Sequence, residues 1–161
     1  MKTLYIIRHA KSDWDDKALS DHDRPLSSRG LRDAPVMASR FLQRSRPPEF
    51  ALSSTALRAL TTCKIFCDAW QIAHGNIHIN KEFYFGSMPA MIRSIEEALA
   101  MHDTVAVFGH NPNSSILANY WCSDFHHDIP TCAIVAIRFE KLVGADLGTL
   151  LWYDFPKNSV K

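Results

Sequence analysis

The chain has 161 residues, of which 47% are apolar and 22% charged, a globular mixture sized for one domain and too short for two comfortable ones. Its 18 Lys plus Arg stand against 17 Asp plus Glu, a formal net charge of +1. That balance argues against a partner attracted by a global field, such as nucleic acid or an anionic membrane, so any charged ligand must be met by a few locally placed residues.

The N-terminal apolar run, Leu4-Tyr5-Ile6-Ile7, is four residues long, whereas a secretory signal needs about 7–15 apolar residues and a membrane span about 20. The four cysteines are Cys63, Cys67, Cys122 and Cys132. Cys63 and Cys67 fall on one face of a predicted helix, but no second close-spaced Cys/His pair completes a metal site, so they read as buried free thiols. A cytoplasmic protein without a metal or other cofactor is the expectation.

In chain order, Leu4 to Ile7 reads as a buried strand. Residues 10–29 are polar and turn-rich, a long loop of the kind that is usually functional. Leu31, Ala34, Met37, Ala38, Phe41 and Leu42 repeat at helical spacing. Phe50-Ala51-Leu52 is a short strand ending at Ser53-Ser54-Thr55, and residues 56–72 form the next helix, with Leu57, Leu60, Cys63, Cys67 and Trp70 inward. Ile77 to Ile79 is a weak strand, Pro89 to Met101 a helix, and Thr104 to Phe108 an apolar strand. Asn111-Pro112 predicts a helix start, with Asn111 as the N-cap and proline at the first helical position. Cys132 to Phe139 and Thr149 to Phe155 read as a hairpin. Strand–helix alternation with a terminal hairpin predicts a three-layer α/β/α sandwich around a mostly parallel sheet, one domain over residues 1–161.

In such folds ligands gather where loops leave the carboxyl ends of strands. Three predicted strands end in cationic residues there: Arg8-His9 after the first, Arg58 just beyond Ser53-Ser54-Thr55, and His110-Asn111 after Thr104 to Phe108. Two arginines and two histidines suit a phosphoryl group. Arginine presents a planar fork of donors that pairs with phosphate oxygens. A neutral histidine can attack phosphorus and split one displacement into two, while the cations neutralise charge on the equatorial oxygens without requiring a metal. No Gly-rich nucleotide loop of the G-x-x-x-x-G-K-[ST] type occurs. His126-His127-Asp128 and the tryptophans Trp14, Trp70, Trp121 and Trp152 read as structural.

The segment Leu4-Tyr5-Ile6-Ile7-Arg8-His9-Ala10-Lys11-Ser12 resembles the signature of the histidine phosphatase superfamily, whose hallmark is Arg-His-Gly. Asp23-Arg24-Pro25-Leu26-Ser27-Ser28-Arg29-Gly30, Leu52-Ser53-Ser54-Thr55-Ala56-Leu57-Arg58, Val107-Phe108-Gly109-His110-Asn111-Pro112 and Trp152-Tyr153-Asp154-Phe155-Pro156-Lys157 are similar to its SixA-type phosphohistidine phosphatase branch. The resemblance implies a phosphoglycerate mutase-like fold with His9 as nucleophile and with Arg8, Arg58 and His110 as the rest of a phosphate pocket. Arg24 would add a phosphate or substrate contact, and Asn111 would act chiefly as a helix cap, with backbone donors near the site. Glu82 is the closest match to the superfamily's general acid, with Asp13 and Asp23 as rivals. Ala10 stands where the hallmark has glycine and is expected in an ordinary backbone region.

The implied activity is metal-independent hydrolysis of phosphohistidine, on a protein, through a covalent intermediate at His9. The alternatives are a general phosphatase for small phosphomonoesters and a catalytically silent phosphoprotein-binding module. A chain of this length leaves no room for the insertions that roof the pocket in phosphoglycerate mutases and acid phosphatases, so an open site is expected.

Overall fold

In the computed structural model, which describes residues 1–158, six strands form one sheet in the order β3-β2-β4-β1-β5-β6. The elements run β1 (Lys2–Arg8), α1 (Ser28–Leu42), β2 (Phe50–Ser53), α2 (Leu57–Trp70), β3 (Ile77–Ile79), α3 (Glu82–Phe85), α4 (Met88–Met101), β4 (Thr104–Gly109), α5 (Asn113–Trp121), β5 (Ile134–Phe139) and β6 (Thr149–Asp154). Strands β1 to β4 are parallel; β5 runs antiparallel beside β1 and forms a hairpin with β6. The predicted architecture is the observed one.

Because side chains alternate across a strand, β1 feeds both cores. Leu4 and Ile6 face α4 and α5, packing with Ile95, Leu99, Leu117 and Trp121. Tyr5 and Ile7 face α1 and α2, packing with Met37, Phe41, Phe66 and Trp70. Each fully buried aliphatic or aromatic side chain of this kind contributes about 1.5–3 kcal/mol, which is why β1 is a continuous apolar run. Cys63 and Cys67 share a helix face as expected, with sulfurs 4.0 Å apart in the α1/α2 core.

The apolar stripes are narrower than their periodicity suggests. Leu31 and Leu42, which belong to the helical repeat, and Leu57, read as inward, are exposed: they flank the buried stripe at helix ends, where the neighbouring element no longer covers them. The α5 boundary also needs correction. Pro112, not Asn111, is the N-cap, and the helix begins at Asn113. The Asn111 amide instead donates to the Ile129 carbonyl at 3.0 Å, and its Oδ1 accepts from Ser115 Oγ at 3.2 Å. Asn111 is thus spent on tying the 129 loop to the helix rather than on the first backbone N–H groups.

Two 3-10 turns, Asp21–Asp23 and His74–Asn76, and the single-turn α3 lie in segments with too few residues to show a helical period.

Candidate active site

Register assembles the site. Arg8 pairs with Gly109 across β1 and β4, and His9 N donates to the Gly109 carbonyl at 3.0 Å, so His9 and His110 leave the sheet side by side. Their ring centroids are 5.1 Å apart. On the other side of β4, Ser53 pairs with Phe108, and Ser54 N donates to the Phe108 carbonyl. That places the β2 exit, and with it Arg58 in the first turn of α2, against the same pocket. The resulting cleft, about 230 Å³, is lined by Arg8, His9, Arg24, Arg58, His110 and Asn111, joined by Lys11, Ser12, Trp14 and Thr131.

The nucleophile candidate is held from three directions. His9 Nδ1 lies 2.7 Å from the Ala10 carbonyl. A carbonyl can only accept, so Nδ1 carries the proton and Nε2 of the neutral ring keeps its lone pair. Ala10 N donates to Thr62 Oγ1 at 3.0 Å, and Thr62 Oγ1 donates to the Arg58 carbonyl at 2.7 Å, tying the His9 loop to the helix that carries Arg58. Behind them, Cys132 takes a left-handed conformation (φ 62°) that brings its N–H within reach of both the Arg8 and His9 carbonyls, at 3.1 and 3.0 Å. Ala10 is not in that region, as its missing conformational freedom requires.

The pocket is electropositive, and its two histidines are buried. Burial pushes the His9 pKa down to about 4, against the upward pull of the Ala10 carbonyl and with further lowering by Arg58, Arg8 and Arg24. His110 is pushed to about 3, first by burial and then by His9 and Arg58. Both rings are therefore neutral at pH 7. His110 Nε2 is 2.7 Å from Ser54 Oγ. Arg8 Nε, Arg58 Nε and His110 Nδ1 are buried nitrogens without a hydrogen-bond partner among the described residues, an uncommon state for buried polar groups and one an anionic ligand relieves.

Arg24 is 93% shielded from solvent and reaches the cleft from the long loop. Its Nη1 donates to Ser12 Oγ at 3.0 Å, its Nε and Nη2 to Asp21 Oδ1, and its guanidinium lies 3.3 Å from the ring centre of the exposed Trp14. Asp21 was not singled out by the sequence, yet it is the carboxylate at the centre of the cationic cluster. It accepts from Arg24, from Arg58 Nη2 at 3.0 Å and from Tyr84 Oη at 2.8 Å. Burial pushes its carboxyl up, but these donors outweigh burial and hold it down at about 2. The one available signal was its spacing, Asp21 and Arg24 standing one helical turn apart.

The carboxylates weighed as general acid lie elsewhere. Glu82 is in α3, and none of its atoms lines the cleft; its Oε2 folds back over Gly86, against the place a Cβ would take there. Asp13 accepts from Asp15 N within the loop, and Asp23 pairs with His22. His127 stacks on Tyr153, and Tyr153 Oη donates to the Asp128 carbonyl, so the His126-His127-Asp128 segment packs against β6.

The family model of the histidine phosphatase superfamily (branch 1) matches residues 4–114. The chain belongs to this superfamily. Among curated proteins it is 33% identical over 118 residues to an uncharacterized chloroplastic protein of Arabidopsis thaliana, covering 68% of this chain and 54% of that protein. It is 36% identical over 119 residues to an uncharacterized Mycobacterium tuberculosis protein, covering 70% and 67%. The match thus spans about half the length of the plant relative.

Solved structures extend the likeness over the whole sandwich. The protein histidine phosphatase SixA in complex with tungstate superposes with a TM-score of 0.80 at 23% identity, over 96% of this chain and 97% of that one. A protein of Agrobacterium tumefaciens assigned to SixA superposes at 0.81 and 24% identity, over 96% and 98%. At these identities the likeness is one of fold. In this superfamily member, the residues matching the signature, Arg8 and His9, are those the β1/β4 register places against His110.

Proposed function

We propose that this protein is a phosphatase acting through a covalent phosphohistidine at His9, with phosphohistidine on a protein as its substrate. The supporting observation is that the cleft lining holds five cationic or imidazole residues around His9, namely Arg8, Lys11, Arg24, Arg58 and His110, and no carboxylate among the described residues. Asp21, the carboxylate bound to its arginines, is ionised at neutral pH and has no proton to give a leaving group. An alkoxide leaving from a phosphoester needs such a proton, whereas the imidazole of a phosphoramidate takes one from solvent near neutral pH.

In the first step the Nε2 lone pair of His9 attacks phosphorus and forms a P–N bond. The bond from phosphorus to the leaving nitrogen breaks, and that imidazole departs as a neutral ring after protonation. Arg8, Arg24 and Arg58 supply fixed donors for the equatorial oxygens, and their charge offsets the charge developing there. The Ala10 carbonyl stabilises positive charge on the His9 ring as Nε2 becomes bonded. In the second step water attacks phosphorus, the P–N bond to His9 breaks with its electron pair returning to Nε2, and inorganic phosphate leaves.

Trapping the phosphoenzyme tests this directly. A denaturing alkaline quench, under which phosphoramidates survive, is followed by mapping of the labelled residue. Label on His9, loss of turnover in His9→Ala and insensitivity to chelators are the expected results. Label on serine, or the absence of alkali-stable label during turnover, overturns the mechanism. Rates on a phosphohistidine protein, free phosphohistidine and an aryl phosphate decide the substrate: preference for the aryl ester replaces this reading with a general phosphomonoesterase, and binding without turnover replaces it with a phosphoprotein-binding module.

A further inference from the structure

Beside the phosphoryl cleft lies a second depression, about 380 Å³, that the chemistry at His9 does not use. Thr131 lines both, so the two are continuous across one residue. Its walls come from the start of α1, which contributes Arg29, Arg32 and Asp33, and from the segment after β6, which contributes Phe155 and Lys157. The groove is larger than the cleft and has a different character: an apolar floor rimmed by long cationic side chains.

The C-terminal wall is firmly built. Asp154, 1% exposed, forms an ion pair with Arg40 of α1. Arg40 also donates to the Pro156 and Asn158 carbonyls, and Asp154 Oδ1 accepts from Phe155 N and Asn158 Nδ2. The groove is therefore shaped before any ligand arrives, which lowers the ordering cost of binding. Its cations do not serve the helix. Arg29 and Arg32 lie near the N-terminus of α1, where positive charge opposes the helix dipole, and that first turn holds no acidic residue. Asp33 offsets Arg29 at 3.9 Å, leaving Arg32 and Lys157 as the free cations of the groove among the described residues.

We infer that this groove receives an acidic stretch of the substrate polypeptide flanking the phosphorylated residue, its carboxylates meeting Arg32 and Lys157 and an apolar side chain resting on Phe155. The inference rests on the phosphatase reading and deepens it. Charge complementarity selects the occupant: the whole protein is near neutral, at +1, so attraction for an acidic chain has to be local. The position selects it too, since a segment leaving the phosphoryl site over Thr131 enters the groove at once.

The test compares phosphohistidyl peptides of one core sequence carrying Asp/Glu, neutral or Lys flanks, alongside free phosphohistidine. The parent protein is expected to favour the acidic peptide over the neutral one by about tenfold in kcat/KM, as two rim charges warrant. The Arg32→Glu/Lys157→Glu double variant loses that preference, and Arg32→Gln loses part of it, while kcat/KM on free phosphohistidine stays at the parental level. A parental rate that ignores flank charge overturns the groove, as does an equal loss on peptide and free phosphohistidine in the double variant. Failure of the parent on every phosphohistidyl peptide and on free phosphohistidine strikes the phosphatase reading instead. Equilibrium binding of the same peptides to His9→Ala reads the groove without turnover, and affinities independent of flank charge overturn it whatever the chemistry.

Discussion

Asp21 and Arg58 are joined twice: Arg58 Nη2 donates to the Asp21 carboxylate at 3.0 Å and Nη1 to the Asp21 carbonyl at 2.6 Å. The same carboxylate accepts from Arg24 and Tyr84. One acidic residue from a 3-10 turn in the long loop therefore sets the orientation of two arginines and weakens their joint charge. An incoming phosphoryl group competes with it for the same donors.

Substituting Asp21→Asn separates the two effects. With the negative charge gone, inorganic phosphate and tungstate are expected to inhibit more tightly, by about tenfold, because a countercharge in direct contact with both arginines has been removed. The weaker hold on Arg58 is expected to lower kcat by a similar factor. Inhibition constants and kcat measured on the same preparation check the pair, both being expected to fall; an inhibition constant that stays or rises, or a kcat that stays at the parental value, contradicts the double role.

The pH dependence follows from His9 and His110. Their folded pKa values, about 4 and about 3, lie below the value of about 6.5 for an exposed histidine. The unfolded chain thus binds more protons than the folded one between those limits. Stability is complete above about pH 6.5 and declines as pH falls toward the folded values. The acid limb of kcat/KM belonging to the free enzyme is expected near pH 4, after correction for the substrate's own titration. An enzyme limb near pH 6.5 contradicts burial of neutral rings. Thermal melting of His110→Asn against the parent between pH 7 and pH 4.5 checks the stability arm, the variant showing the shallower fall.

Thr62 offers a cleaner structural probe. Thr62→Val keeps the shape but leaves Ala10 N buried without its acceptor, which costs about 1–3 kcal/mol, and frees the loop that positions His9. Loss of stability together with a lower kcat on free phosphohistidine is expected, both restored in Thr62→Ser. Denaturant melts and single-turnover rates provide the readout.

Arg40 is expected to matter for stability and not for phosphoryl chemistry. Arg40→Ala leaves Asp154 buried with a distant Arg44 as its remaining cation, at 3.7 Å, and breaking such a buried pair costs about 3 kcal/mol. Turnover of free phosphohistidine well below the melting temperature stays near the parental value. A selective loss of turnover would place this cluster in the active site after all.

Sequence and structure divide the work along physical lines. The run Leu4 to Ile7, the helical period through Phe41 and the apolar strand before Gly109 are local patterns, and they suffice for the layers of the sandwich because burying those faces admits few other arrangements. Arg8, His9, Arg58 and His110 were legible for a related reason: strand ends in a parallel sheet face one side, so residues just beyond them converge. Helix margins such as Leu57 and the true start of α5 were less legible, since coverage by a neighbour and the partners of Asn111 are tertiary facts.

The opening charge balance shows the same division. A net charge of +1 argues against long-range attraction for a polyanion, and the sequence alone supplied both that and the identity of the cations. Only the fold decided which of them stand together: β1/β4 register set His9 beside His110, Thr62 linked the His9 loop to Arg58, and Asp21 arrived from a turn without periodicity. Carboxylate placement was decided there as well, because Glu82 and Asp21 differ in which hydrogen-bond donors reach them, and no local pattern encodes a donor supplied from across the molecule.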